Sequence, residues 1–162
     1  MRFVKYRRKR EGNTDYKKRL KLLMSGSDRL IVRKTNKNII LQIAEYNENG
    51  DKILITANSS ELKKYGWNKA TGNIPASYLT GLILAKRALK KNIDSAIVDI
   101  GLQTPTKGSR LFAAVKGAID GGMKIVCSEE AFPNKERLIG NHISNETSLL
   151  FEKTKNNILK SV

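Results

Sequence analysis

Cysteine and histidine are almost missing from this chain. Its 162 residues include one of each, Cys127 and His142. No disulfide can therefore form within the chain, and no Cys/His metal cage can be built. Such sparing use of cysteine fits a reducing, intracellular compartment. Cys127 sits in the apolar run Ile125-Val126-Cys127 and reads as a small core residue. His142 has no paired nucleophile, so acyl transfer and thiol catalysis both lack their parts. Aromatics make up only 6% of the chain, which predicts a mainly aliphatic core. No apolar run approaches the roughly 20 residues of a membrane span. The N-terminus also lacks the apolar segment of a secretory signal, so neither a membrane nor an export route is expected. Acid is scarce too: Asp plus Glu number 15 against 31 Lys plus Arg.

What is abundant is positive charge, a formal +16. A compact cationic chain repels itself, and a polyanion relieves that repulsion. Nucleic acid is the leading partner; an anionic membrane surface and an acidic protein follow. Residues 1–22 hold ten Lys or Arg against Glu11 and Asp15, so half of the excess lies in the first 22 residues.

Periodicity predicts one α/β domain. Residues 1–13 have no clean period and read as an extended basic arm ending at Gly12-Asn13. Thr14 is the expected N-cap of a short basic helix that docks through Tyr16, Leu20 and Leu23 and closes at Gly26. Three strands follow: Leu30 to Lys34, Ile39 to Tyr46 and Lys52 to Ala57. Their short polar connectors suit hairpins, hence an antiparallel meander. Ser59 to Leu62 reads as a helical turn. A long helix starts near Pro75 with Tyr78, Leu82, Ala85 and Leu89 as its stripe. Ala96 to Ile100 reads as a strand buried on both faces. A helix from about Ser109 buries Leu111, Phe112, Val115 and Ile119, and Ile125 to Cys127 completes a parallel crossover. The expected fold is thus a mixed sheet, an antiparallel meander plus parallel strands, packed with helices. The expected organisation is an arm at 1–13, an α/β domain at 14–132 and a mostly polar tail at 133–162 with a short helix near Leu149 to Leu159.

Several groups of residues carry candidate chemistry. In the arm, Arg forks suit paired phosphate oxygens, and Phe3, Tyr6 and Tyr16 are of a type that stacks on unpaired bases. The hairpin tip Arg33 to Lys37 sets amide and hydroxyl groups beside three cations. The loop Gly101 to Arg110 joins a strand to a helix start, where backbone amides favour an anion. Its Lys107, Ser109 and Arg110 are candidate donors to a phosphate. The order Gly-Lys-Ser/Thr of a P-loop is absent there. Asp99 with Gly101 resembles the phosphate loops of actin-like ATPases and ribonuclease-H-like nucleases. That chemistry needs several carboxylates around Mg²⁺, and none converges on Asp99. A loop-bracing Asp99 is the expectation, and a metal-dependent phosphate-processing enzyme is the alternative. A membrane-surface role is disfavoured because the basic helix lacks a broad apolar face.

Five segments occur in order: Arg7 to Tyr16 (RRKREGNTDY), Arg33 to Ile39 (RKTNKNI), Lys64 to Trp67 (KYGW), Tyr78 to Leu82 (YLTGL) and Lys116 to Gly122 (KGAIDGG). Together they resemble the universal large-subunit ribosomal protein eighteen family in its archaeal form, whose eukaryotic counterpart is the longer large-subunit protein five. The likeness spans about residues 3 to 145. The resemblance implies an α/β sandwich with a basic N-terminal extension, no catalysis and no cofactor. It implies a cytoplasmic protein of the large ribosomal subunit that binds 5S rRNA. Such a protein helps attach 5S rRNA to 23S rRNA in the central protuberance, beside neighbouring large-subunit proteins, with no membrane and no small-molecule substrate. RNA contact is implied for Tyr6, Arg7, Arg8, Lys9, Arg10, Thr14, Tyr16 and Arg19, and for Arg33, Lys34, Thr35, Asn36, Lys37 and Asn38 of the hairpin. Tyr65, Trp67, Thr71 and Asn73 follow, with Lys107, Ser109 and Arg110. The tail beyond Pro133 is where the family varies, and residues 146–162 match nothing in it.

Overall fold

Alternating apolar side chains build the sheet. The computed structural model describes residues 4–161. β1 (Arg29–Lys34), β2 (Ile39–Glu45) and β3 (Lys52–Asn58) form the expected antiparallel meander, and β4 (Ile97–Asp99) lies parallel to β1. The order is β3-β2-β1-β4, a four-stranded mixed sheet. Leu30, Val32, Ile39, Leu41, Ile43, Ile55 and Ala57 are buried on one face. By the period of two, Arg29, Ile31, Arg33, Gln42 and Asp99 fall on the other.

Helices cover the apolar face. α3 (Ile74–Lys90) has Pro75 in its first turn, and Asn73 caps it by accepting from the Ala76 N–H at 2.9 Å. A single buried stripe was expected; instead α3 is enclosed almost all round, with every residue from Ile74 to Ala85 buried. The sheet lies on one side of it and α4 (Arg110–Asp120) on another. Its buried hydroxyls are satisfied internally: Ser77 donates to the Asn73 carbonyl and Thr80 to that of Ala76. α4 turns its small-residue side inward, burying Leu111, Ala113, Ala114, Val115, Gly117 and Ala118. Phe112 and Ile119, expected in that face, are only half-buried.

Three more expectations are corrected. Ile125 to Cys127 forms no strand; a lone parallel bridge joins Ser95 to Lys124, and Val126 is fully exposed. The helix expected near Leu149 to Leu159 is present, and the segment after Pro133 holds more structure than that one short helix. It folds into α5 (Lys135–Ile139) and the 17-residue α6 (Asn145–Ser161). α6 seals α3 by burying Phe151 and Ile158, with the Phe151 ring 5.5 Å from that of Tyr78. The arm is not extended throughout, because Arg7–Arg10 make one helical turn, α1.

α2 (Tyr16–Leu23) is capped by Asp15 rather than Thr14, its Oδ1 accepting from the Lys17 and Lys18 N–H groups. It buries no residue fully. Leu20, expected to dock, is 61% exposed. Among the described residues no helix is long and apolar enough to cross a membrane.

Candidate nucleic-acid interface

α2 carries too little apolar surface to hold itself in place, so its anchorage is ionic. Arg19 forms a two-pronged pair with Asp51, in the β2–β3 turn, at 2.9 and 2.8 Å. Arg29 continues the chain beneath it. Its side chain is 1% exposed, with Nη2 2.6 Å from Asp51 Oδ2 and Nη1 donating to Asp99 Oδ2 at 3.2 Å. The Asp51 contact is a charge contact rather than an aligned hydrogen bond, since Nη2 and Nε of Arg29 have no hydrogen-bond partner among the described residues. Arg33 closes the series by donating to Asp99 Oδ1 at 3.3 Å and to the Asp99 carbonyl at 2.7 Å. Five charges of alternating sign thus run Arg19–Asp51–Arg29–Asp99–Arg33. They tie α2, both ends of β1, the β2–β3 turn and β4 together.

These contacts shift the ionisable groups in opposite senses. Burial pushes the Asp51 carboxyl up, but the hydrogen bonds from Arg19 and the adjacent charge of Arg29 outweigh it and hold it below the usual carboxylate range. The same bond to Asp51 raises Arg19.

Asp99 is a brace. Besides both guanidiniums, its Oδ1 accepts from the Gly101 N–H at 2.8 Å. Gly101 has φ +62, and a Cβ there would meet the Arg33 guanidinium carbon at 2.9 Å, so a side chain would strain the turn and displace Arg33. No group of three or more His, Cys, Asp or Glu among the described residues could hold a metal ion. The enzyme alternative built on Asp99 therefore lacks its metal site and its free carboxylate.

Between α2 and this loop lies a cleft of about 290 Å³, lined by Arg8, Thr14, Lys18, Arg33, Gly101 and Gln103 among others. Lys18 spans it, its Nζ donating to the Gly101 carbonyl at 3.1 Å. Above it the arm folds back, with the exposed Tyr6 ring 5.4 Å from the half-buried Tyr16 ring. Arg7 pairs with Glu11 at 2.7 Å, whereas Arg8, Lys9 and Arg10 are exposed. Phe3 lies outside the described residues.

The hairpin tip faces a second groove. Asn36 and Lys37 line it with Thr71, Gly72 and Asn73. Here the expected contact residues divide into two kinds. Lys34, Thr35, Asn36 and Lys37 are exposed. Thr35 shapes the turn by accepting from the Asn38 N–H, and Asn38 Oδ1 accepts from the hydroxyls of Ser59 and Thr71. Arg110 reaches from α4 to the Gly72 carbonyl at 2.6 Å and the Thr35 carbonyl at 3.4 Å. Asn38, Thr71, Asn73 and Arg110 hold the groove's walls together.

Two expected contacts are corrected outright. Trp67 is 1% exposed, its Nε1 donating to the Ala70 carbonyl, so it offers no face to a base. Ser109 Oγ is enclosed with no partner among the described residues, so it offers no hydroxyl to a phosphate. Tyr65 is half-buried against the core, and Lys107 is exposed and paired with Glu130 at 2.8 Å. Sequence reasoning missed Arg29 and Asp51. Arg29 stands one residue before the apolar run and in phase with Arg33 and Ile31, which is the signal that places it on the arm's side of the sheet.

An α/β scaffold with a cationic arm rooted on one sheet face, and a basic hairpin beside it, is built to hold a polyanion. Residues 1–96 and 90–128 match the family model described as ribosomal large subunit proteins 60S L5 and 50S L18. The chain is 52% identical over 141 residues to the large ribosomal subunit protein uL18 of Methanoregula boonei, covering 87% of this chain and 81% of that one. It is 49% identical over 149 residues to uL18 of Thermofilum pendens, covering 92% and 76%. The chain belongs to this L5/L18 family of large-subunit ribosomal proteins. Its role is structural rather than enzymatic, in association with ribosomal RNA, within the large subunit and hence in the cytoplasm.

Proposed function

We propose that this chain binds 5S rRNA and helps attach it to 23S rRNA in the central protuberance, beside neighbouring large-subunit proteins. The observation that carries this reading is the arm. Arg8, Lys9 and Arg10 are exposed with no ion pair among the described residues, on a segment whose root is fixed by the Arg19–Asp51 pair. Cations without counter-charges suit phosphates, and a fixed root lowers the ordering cost of binding. Tyr6 and Tyr16 add ring faces, and Lys18 and Arg33 supply charge from the cleft. Lys34, Thr35, Asn36 and Lys37 extend the surface along the hairpin tip. Arg7, Thr14, Arg19, Asn38, Thr71, Asn73 and Arg110 shape this surface, and Tyr65 and Lys107 sit at its margins.

Deleting residues 1–13 tests this reading. Among the described residues the core loses nothing, because residues 4–13 are all exposed. Binding to a 5S rRNA transcript falls at least tenfold. The log affinity–log salt slope becomes shallower by about 3–4 with the loss of four arm cations, Lys5, Arg8, Lys9 and Arg10, that have no ion pair among the described residues. Unchanged affinity and slope in a folded truncated chain would remove the arm from the interface.

A further inference from the structure

We propose that the C-terminal third of α3, with the 3₁₀ turn Ser59–Tyr65, forms a second RNA-binding surface that grips the phosphate backbone of the large-subunit RNA rather than of 5S rRNA. The inference deepens the proposed function and rests on it. Lys86, Arg87, Lys90 and Lys91 end α3, and Lys63 and Lys64 project from the turn. The two elements are joined by the ion pair between Arg87 and Glu61, which draws the six cations into one surface with Glu61 as its acid. Glu61 is already satisfied: it also accepts from the Asn58 N–H at 2.9 Å, and these bonds hold its carboxyl below the usual range against the upward push of burial.

The six cations divide by what they touch. Arg87 and Lys91 face the open edge of β3, donating to the carbonyls of Thr56 and Leu54 at 2.7 and 2.8 Å. That blunts an edge strand. Lys63, Lys64, Lys86 and Lys90 have no hydrogen bond or ion pair among the described residues, and Lys63, Lys64 and Lys90 are exposed. Lys86 and Lys90 stand one helical turn apart, where like charges destabilise a helix by a few tenths of a kcal/mol. A phosphate backbone along this side of α3 relieves that repulsion.

Position decides which RNA. α3 packs on the face of the sheet formed by Leu30, Val32, Leu41 and Ile43, whereas α2 and the arm lie over the opposite face, through Arg29 and Asp99. The sheet stands between the two surfaces, so an RNA held by the arm does not lie along α3. Two cationic faces on opposite sides of one sheet suit a protein that joins two RNAs.

The test uses the full chain with Lys64→Ala, Lys86→Ala and Lys90→Ala combined, three residues with no bond in the fold. The probes are a 5S rRNA transcript and a large-subunit rRNA transcript, titrated separately and then together. Expected are a 5S affinity within about twofold of wild type and at least tenfold weaker capture of the large-subunit RNA. The salt slope of that capture becomes shallower by about 2–3. The corresponding Lys→Gln variant repeats the measurement, and unchanged thermal unfolding of either variant excludes misfolding. Unchanged capture and slope overturn the inference, as does an equal loss toward both RNAs. Failure of the wild-type chain to bind 5S rRNA would instead sink the proposed function. The variant-to-wild-type ratio on large-subunit RNA still decides the second surface.

Discussion

Arg29 is where the two halves of the molecule are joined. A guanidinium buried to 1% exposure between Asp51 and Asp99 is costly to desolvate, and its removal leaves two carboxylates facing inward without their shared cation. Arg29→Met is expected to lower stability by about 3–5 kcal/mol in urea unfolding. Adding Asp51→Asn and Asp99→Asn should recover part of that loss. If Arg29→Met cost under 1 kcal/mol, the charge chain would be ornamental. The same residues fix a pH response. The carboxyls of Asp51 and Glu61 are held below their usual values in the folded chain. Their contribution is therefore complete above the unfolded carboxyl pKa of about 4 and is lost as pH falls through the lower folded values. Urea midpoints should hold level between pH 7 and 5 and drop below pH 4. The drop should be smaller in Asp51→Asn. A wild-type midpoint unchanged to pH 2.5 would contradict the pairing. Asp99 was legible as a brace because no second carboxylate converges on it. Arg29 was not, since a charged residue at a strand's edge normally faces water, and only Asp51, 22 residues later, reverses that. Trp67 was misplaced for a related reason: its neighbours Lys64, Asn68 and Lys69 are polar, and nothing local shows the pocket that receives the ring.

At the scale of elements, the α3–α4 contact depends on the absence of side chains. A Cβ on Gly81 would collide with the Ala114 carbonyl, and one on Gly117 would collide with the Tyr78 carbonyl. The two helices meet backbone to backbone, each through the other's glycine. Gly81→Ala and Gly117→Ala should each cost about 1–3 kcal/mol, despite alanine's better helix propensity, because the helices must separate. The double variant should cost less than the sum, since one separation accommodates both methyls. Full additivity in urea unfolding would mean that the two sites relax independently. The strands and α3 were legible because their periods are long and clean. The enclosure of α3 was not: Ser77 and Thr80 look like a polar side until their hydroxyls are seen to bond within the helix. Ile125 to Cys127 misled in the opposite direction. Three apolar residues fit a strand, but the chain holds only one bridge to Ser95 before Val126 turns to solvent. α6 was underestimated because its buried residues, Thr147, Phe151, Thr154 and Ile158, are spaced among Glu, Lys and Asn.

For the whole molecule, net charge sets a conflict between stability and binding. The ion pairs of the fold leave the formal +16 unchanged, because each pair adds nothing to the net charge. The surplus is spread over an arm, a hairpin and the end of α3. Self-repulsion among such exposed cations is long-ranged and salt-sensitive, with a screening length of about 10 Å at 0.1 M. The Arg19–Asp51–Arg29–Asp99–Arg33 chain is short-ranged and partly or wholly enclosed, so salt weakens it much less. Salt should therefore stabilise the free protein while weakening its hold on RNA. Raising NaCl from about 0.05 to 0.5 M is expected to lift Tm by about 2–4 °C, the shift that accompanies about 1 kcal/mol in a chain of this size. Over the same range, affinity for a 5S rRNA transcript should fall by orders of magnitude as counterion release loses its advantage. A Tm that falls with salt would mean that attractive pairs dominate the free protein and that its surplus charge is already balanced. A Tm that rises with salt while RNA affinity stays level would mean that the surplus is real but the RNA is held by something other than phosphate contacts. Opposite signs in the two titrations are the signature of a cationic fold that is stable alone and relieved of its repulsion by RNA.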